Sequence, residues 1–408
     1  MPTIDTGDTA WVLTASTLVL VMTPALAFFY GGMVRRKNIL STLNLSFVTM
    51  GLLSVQWVFV GYSLAFGPNL AGLIGGLSHM GLAGVGAAPN PDYAPTIPHL
   101  AFAAFQMMFA IITPALITGA FVERVRFKTY LIFSLLWATL VYDPVAHWVW
   151  GTGGILRQLG ALDFAGGAVV HITAGFSALA FALVIKARKG FASNAFEPHN
   201  IPYTVLGAGL LWMGWFGFDG GSALAANGVA VNAVVTTNTS AAACGLVWML
   251  LSWRENRPSV LGIVTGAVVG LVAVTPAAGY VTPLAALAIG AVAAPVSYYA
   301  VRLRQKMGLD ESLDVVGRAG YRPVCQPSRQ RRRRRRLVLR QPGAVRGAAP
   351  QRCGRHRLCL WHDLCDRQGA ERDGGAACLG ERGGGRPGHQ RARRTGVRLI
   401  AGRGEERP

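Results

Sequence analysis

The sequence predicts an all-α polytopic membrane protein over residues 1–315, followed by a tail of different composition. Three observations carry that expectation. Of 408 residues, 52% are apolar and only 14% are charged, too hydrophobic for an ordinary water-soluble protein. Apolar runs long enough to cross a bilayer recur along the chain. Lys and Arg gather at every second junction between those runs, the pattern of cytoplasmic loops.

The runs lie at about 10–33, 39–66, 99–122, 128–150, 165–186, 202–218, 229–253, 258–275 and 281–301, which makes nine candidate spans. Met1–Ala10 holds two acids and no Lys or Arg, so the basic start of a signal peptide is missing and the first run is expected to stay as a span. The junctions with Arg35-Arg36-Lys37, Arg124/Arg126/Lys128, Lys186/Arg188/Lys189, Arg254/Arg257 and Arg302/Arg304/Lys306 alternate with junctions nearly free of Lys and Arg, Arg157 being the exception. Basic junctions face the cytoplasm, which places the N-terminus outside.

The formal charge of +20 suggests nucleic acid until its distribution is considered. Residues 1–315 carry 15 Lys or Arg against 12 acids, whereas residues 316–408 carry 24 Arg, no Lys and 7 acids. The tail therefore holds +17 of the +20, and with it five of the six cysteines. It has no span-length apolar run and too little periodicity for a core, so it reads as disordered. Its six-arginine run, Arg331–Arg336, could adhere to nucleic acid or anionic lipid. Its Cys353, His356, Cys359, His362 and Cys365 recur at a period of three that fits no standard zinc finger. Neither is expected to be a selected function, and the sequence calls for no metal or cofactor.

Chemistry concentrates in Asp163-Phe-Ala-Gly-Gly-Ala-Val-Val-His171. Eight residues advance a helix by roughly 12 Å, so an Asp163 that caps the helix at one bilayer face puts His171 near mid-depth. The small residues Gly166, Gly167, Ala168, Ala174, Gly175 and Ala178 allow close helix approach, which turns the imidazole toward protein rather than lipid. A histidine that merely bonds a neighbouring helix is the plainer alternative; a pore-lining group that handles a proton or polar substrate is the sharper one. Asp163 is equally well read as a plain N-cap, and His147 and His199, near span ends, as interface residues. Pro24, Pro114, Pro144 and Pro276 lie in or near spans and free carbonyls that protein or a wet cavity must satisfy. Gly214, Gly217, Gly220 and Gly221, beside Trp215, Phe216 and Phe218, suggest a close-packed vestibule.

Together with Ala146-His-Trp-Val-Trp-Gly151, Gly214-Trp-Phe-Gly-Phe-Asp-Gly-Gly-Ser222 and Glu197-Pro-His-Asn200, that stretch resembles the ammonium transporter (Amt/Mep/Rh) family over about residues 8–315. The resemblance implies an eleven-helix bundle with an inverted five-helix repeat, of which about nine spans are recognisable. It also implies a homotrimer with one pore per subunit, and transport of ammonium or ammonia across the lipid bilayer of a prokaryotic inner membrane rather than enzyme activity. Trp150, Phe109 and Ser222 match the family's outer recruitment site. Phe109 and Phe218, with Phe105 beside them, match its phenyl gate, Asp163 its vestibule acid and His171 the first of its two pore histidines.

The residue types suit that role. Ammonium is a four-donor cation, attracted by aromatic faces and by a hydroxyl acceptor. Moving it intact through apolar territory carries a Born penalty that favours loss of its proton.

The chain departs from the family after Asp314. Ala319 stands where the second pore histidine is expected, and the last two helices have no counterpart. A change of reading frame in a GC-rich gene would produce such a switch. The family's contact with a PII-type regulatory protein uses cytoplasmic elements, which the departure puts in question here. An inactive, frameshifted member, an ammonium sensor and a membrane-anchored nucleic-acid binder are the competing readings.

Overall fold

A computed structural model describes residues 3–185, 187–188, 197–255, 257–307 and 310. The tail 316–408, with Ala319, the arginine run and the Cys/His tract, lies outside the described residues, as do the last two helices of the expected eleven.

Each apolar run closes its backbone hydrogen bonds within itself, as lipid requires, and the runs give nine long helices among the described residues. They are α1 (Thr6–Met33), α2 (Ile39–Gln56, continued by Trp57–Gly61 and Tyr62–Phe66), α3 (His99–Phe121), α4 (Phe127–Trp137, continued by Ala138–Tyr142 and Asp143–Trp150), α5 (Gly167–Ile172 and Thr173–Val184), α6 (Ile201–Gly221), α7 (Gly228–Glu255), α8 (Val260–Val274) and α9 (Pro283–Lys306). Polar side chains start several of them: the carboxylate of Asp5 accepts from Asp8 N at 2.9 Å, Asn200 Oδ1 from Tyr203 N at 3.1 Å and Ser259 Oγ from Gly262 N at 3.0 Å.

Eight of the nine expected spans are long and apolar enough to cross a bilayer. The exception is α8, whose 15 residues extend only about 22 Å at 1.5 Å per residue. It stops just before Pro276, which cannot continue a helix. Carbonyls of the last turn are taken up at once: Leu271 O accepts from Thr275 Oγ1 at 2.8 Å, and Val274 O from Ala277 N at 2.8 Å.

Two details were not expected. The junction between α2 and α3 holds two small antiparallel hairpins, Asn69–Leu70 with Ile74–Gly75 and Pro89–Asn90 with Ala94–Pro98. The middle sections of α2 and α4, and the first turns of α5, are wound as π-helix, a form that recurs at functional positions.

Helix α1 packs along α6, and the glycines of α6 explain how closely. A Cβ on Gly207 would sit 2.6 Å from Ala25 O, and one on Gly217 2.9 Å from Ala15 O. Within the glycine cluster of residues 214–221, Gly214, Gly217 and Gly221 meet α1 at Met22, Leu18 and Ala15, Gly220 meets Val234 of α7, and Gly221 also meets Phe105, so the cluster serves helix crossings first. His147, near the end of α4, is fully buried, its ring nitrogens 3.0 Å from Ala65 O and 3.0 Å from Asn69 Oδ1, so its polar contacts tie α4 to the end of α2.

Candidate functional site

Helical spacing aligns the aromatic residues. On α6, Trp215, Phe218 and Ser222 are three and four residues apart and share one face. On α3 the same spacing aligns Phe102, Phe105 or Gln106, and Phe109. Trp150 ends the last section of α4, and its indole Nε1 donates to Asp163 O at 2.9 Å.

These faces enclose a cavity of about 490 Å³ whose lining includes Trp150, Phe109, Ser222, Asp163, Tyr93 and Gln106. Ser222 Oγ donates to Phe218 O at 2.8 Å, which leaves its lone pairs as acceptors. Phe109 stands edge-on to Trp150, ring centroids 6.1 Å apart. The three residues matched to the recruitment site thus share one chamber.

Below Phe109 the lining ends and a stack of rings begins. Phe218, fully buried, lies 4.4 Å from Phe109 between centroids. His171 follows, nearly parallel to Phe218 at 5.7 Å and 20°. Its other neighbour is Trp215, at 5.4 Å and 22°. Phe105, also fully buried, meets the edge of Phe109 at 4.9 Å from outside the cavity. Residues Trp150, Phe109, Phe218 and His171 therefore occur in that spatial order. The sequence reading missed Trp215 as a partner of His171, although its place three residues before Phe218 on the same helix was the available signal.

Asp163 behaves as a cap. Its Oδ1 accepts from Gly166 N at 3.0 Å, and its Oδ2 from Ala168 N at 2.9 Å and Val169 N at 3.0 Å. Burial pushes its carboxyl above the ordinary range, and these amides pull it back. With both oxygens occupied, Asp163 fixes the start of α5 and so the height of His171. Gly166 supplies the entry turn at φ 101°, where a side chain would be strained. Among the described residues, Nε2 of His171 is buried without a hydrogen-bond partner, an uncommon state that calls for a guest or a role. No group of three or more His, Cys, Asp or Glu suited to a metal occurs among the described residues.

The sequence model of the Ammonium Transporter Family matches residues 10–320, ending within a few residues of the change in composition. The ammonium transporter Amt1 of Archaeoglobus fulgidus is 52% identical over 309 residues, covering 76% of this chain and 76% of that protein. The ammonium transporter of Bacillus subtilis is 53% identical over 316 residues, covering 77% of each. Among solved structures, Candida albicans Mep2 superposes with a TM-score of 0.73 at 38% identity, covering 77% of this chain and 70% of that one. With eight bilayer-length apolar helices among its described residues and this match over three quarters of its length, the chain is a multi-pass membrane protein that belongs to the ammonium transporter family.

Proposed function

We propose that residues 1–315 recruit ammonium at Trp150, Phe109 and Ser222, take it up to the Phe109/Phe218 pair, and conduct it onward as neutral ammonia past His171. The observation that carries this is the order of rings ending on an imidazole nitrogen with no hydrogen-bond partner among the described residues. Aromatic faces attract a desolvated cation by about 0.5–2 kcal/mol, and the Ser222 hydroxyl accepts one of its protons. Beyond Phe109 the surroundings are apolar rings, where an isolated ion pays the full desolvation cost and a neutral base does not. His171 Nε2 then offers the hydrogen bond that ammonia loses on leaving the chamber.

Phe218 closes the path and Phe105 backs Phe109 from outside the chamber. Asp163 acts by holding α5, without direct contact to substrate. The alternation of basic junctions supports an outside N-terminus in an inner membrane. The exposed apolar faces, with Phe47, Phe59, Leu136 and Leu140 among their residues, are available for lipid and for the homotrimer that the family resemblance implies.

Uptake of labelled methylammonium into cells lacking other transporters tests the reading. Wild-type protein is expected to support uptake and Phe218→Ala to alter it. Equal uptake with and without the protein would overturn it.

A further inference from the structure

The chamber wall carries a charge that the recruitment of a cation leaves unexplained. Arg157, the residue that breaks the charge alternation of the junctions, lines the same cavity as Trp150, Phe109 and Ser222. It is fixed there, because Arg157 Nη1 donates to Trp150 O at 2.6 Å. Asp92 lines the cavity as well. It lies in the turn between the strands Pro89–Asn90 and Ala94–Pro98, where its N–H donates to Asn90 Oδ1 at 3.0 Å. The two segments that bear these charges are tied together beside the chamber. Tyr93 OH donates to Phe66 O at 3.2 Å and accepts from Thr152 N at 3.0 Å, which joins the hairpin turn to the segment leading into Ile155–Gln158. Arg157 and Asp92 are both exposed, and neither forms an ion pair with a described residue.

A guanidinium beside a cation site repels the guest, so its place in this wall needs a reason. The other carboxyl of the lining, Asp163, is buried with both oxygens taken by backbone amides. Asp92 is therefore the acid that the open chamber presents to an arriving ion. Alone it would draw in every cation alike, since a point charge does not tell ammonium from sodium or potassium. We propose that Arg157 and Asp92 set the affinity of the chamber as an offsetting pair. Arg157 cancels the long-range attraction common to all cations, and the choice falls to the short-range contacts, the aromatic faces and the Ser222 hydroxyl. This inference rests on the recruitment reading given above and adds the charge balance of its entrance.

The test is uptake of labelled methylammonium by the full chain in proteoliposomes, read as apparent KM in sodium chloride from about 10 mM to about 150 mM, over which the Debye length falls from about 30 Å to about 8 Å. Wild-type KM is expected to change less than about 2-fold across that range, because the two charges screen together. Arg157→Gln should lower KM about 2- to 5-fold at low salt, and Asp92→Asn should raise it by a similar factor. Both effects should shrink at high salt, and the double variant should return near wild type. Arg157→Lys keeps the charge without the planar fork and should stay close to wild type. A shift shared by Arg157→Gln and Arg157→Lys and indifferent to salt would reduce Arg157 to a clamp on Trp150 and overturn the proposal. KM values equal in all variants while uptake persists would overturn it too. Absence of uptake by wild-type protein would instead refute the recruitment reading, and the charge balance with it.

Discussion

The imidazole of His171 lies nearly parallel to Phe218, at 5.7 Å and 20°, with no hydrogen-bond partner at Nε2 among the described residues. His171→Ala is expected to slow ammonium conduction roughly tenfold, the equivalent of one lost hydrogen bond of ~1.4 kcal/mol, and to reduce selectivity against potassium. Currents in ammonium and in potassium chloride check both. Unaltered currents and unaltered selectivity would exclude a conducting role for this residue.

Trp150→Leu tests recruitment apart from conduction. It removes the ring that faces Phe109 at 6.1 Å and the donor to Asp163 O. Loss of a cation–π contact worth about 0.5–2 kcal/mol should raise the apparent KM for ammonium about 2- to 30-fold. Ser222→Ala should act in the same direction more weakly. Concentration series of methylammonium uptake provide the measurement, and an unchanged KM in both variants would place recruitment elsewhere.

Where α5 begins it is pressed against the broken end of α8. A Cβ on Gly167 would approach the Pro276 ring to 2.5 Å, and Pro276 O is already engaged by Phe164 N. Gly167→Ala should therefore cost ~1–3 kcal/mol through overpacking, seen as a lowered melting temperature in detergent. A melting curve identical to wild type would show that this contact yields freely.

At the basic junction after α3, Glu123 sits at φ 76° and accepts from Arg35 Nε at 3.0 Å, Asn38 Nδ2 at 2.5 Å and Arg188 at 3.1 Å. Arg188 also grips Asp310 at 2.7 Å. Burial pushes the Glu123 carboxyl up, but the Arg35, Asn38 and Arg188 donors outweigh it and leave it below the ordinary value; Asp310 is lowered likewise, by Arg188. Carboxyls depressed in the fold stabilise it at every pH above their unfolded values. That contribution is lost as pH falls through the ordinary carboxylate range, near 4, and below it. Glu123→Gln should cost about 1–3 kcal/mol at neutral pH, because Arg188 keeps Asp310 but loses its second charged acceptor and Arg35 loses its contact with the carboxylate, and should flatten the acid limb of stability. Melting temperatures between pH 7 and the acid limit, for wild type and variant, provide the comparison.

For the tail, the coding DNA is the decisive object. Translating codons 314–320 after a one-base slip is expected to give an apolar span that carries a histidine near position 319. A clone whose shifted frames contain no such span would establish the arginine-rich tail as the product of the gene.

Hydropathy and junction charge made the helices legible because each is a long-range average over many residues. The ring order was legible in part: the spacings of Trp215, Phe218 and Ser222 lie on one helix, whereas Trp150 and Phe109 meet across 40 intervening positions. The hydrogen-bonded residues Gln56 of α2 and Asp143 of α4 were passed over even though a carboxyl inside an apolar run carries the same warning as His171. Their pairing joins residues 87 apart in sequence, and nothing local marks the π-helical turns beside them. The role of the α6 glycines was legible only in part for a related reason, since a small residue announces a close neighbour without saying which one.

The widened turns in α2 and α4 also set the phase of everything downstream. Removing a single residue from Trp57–Gly61 or Ala138–Tyr142 would restore ordinary α geometry with no loss of hydrogen bonding. It would also rotate the half of the helix beyond the deletion by about 100°. For α4 that rotation swings Trp150 off the chamber wall, so the extra residue works like a keyway that keeps one end of the rod aligned with the other.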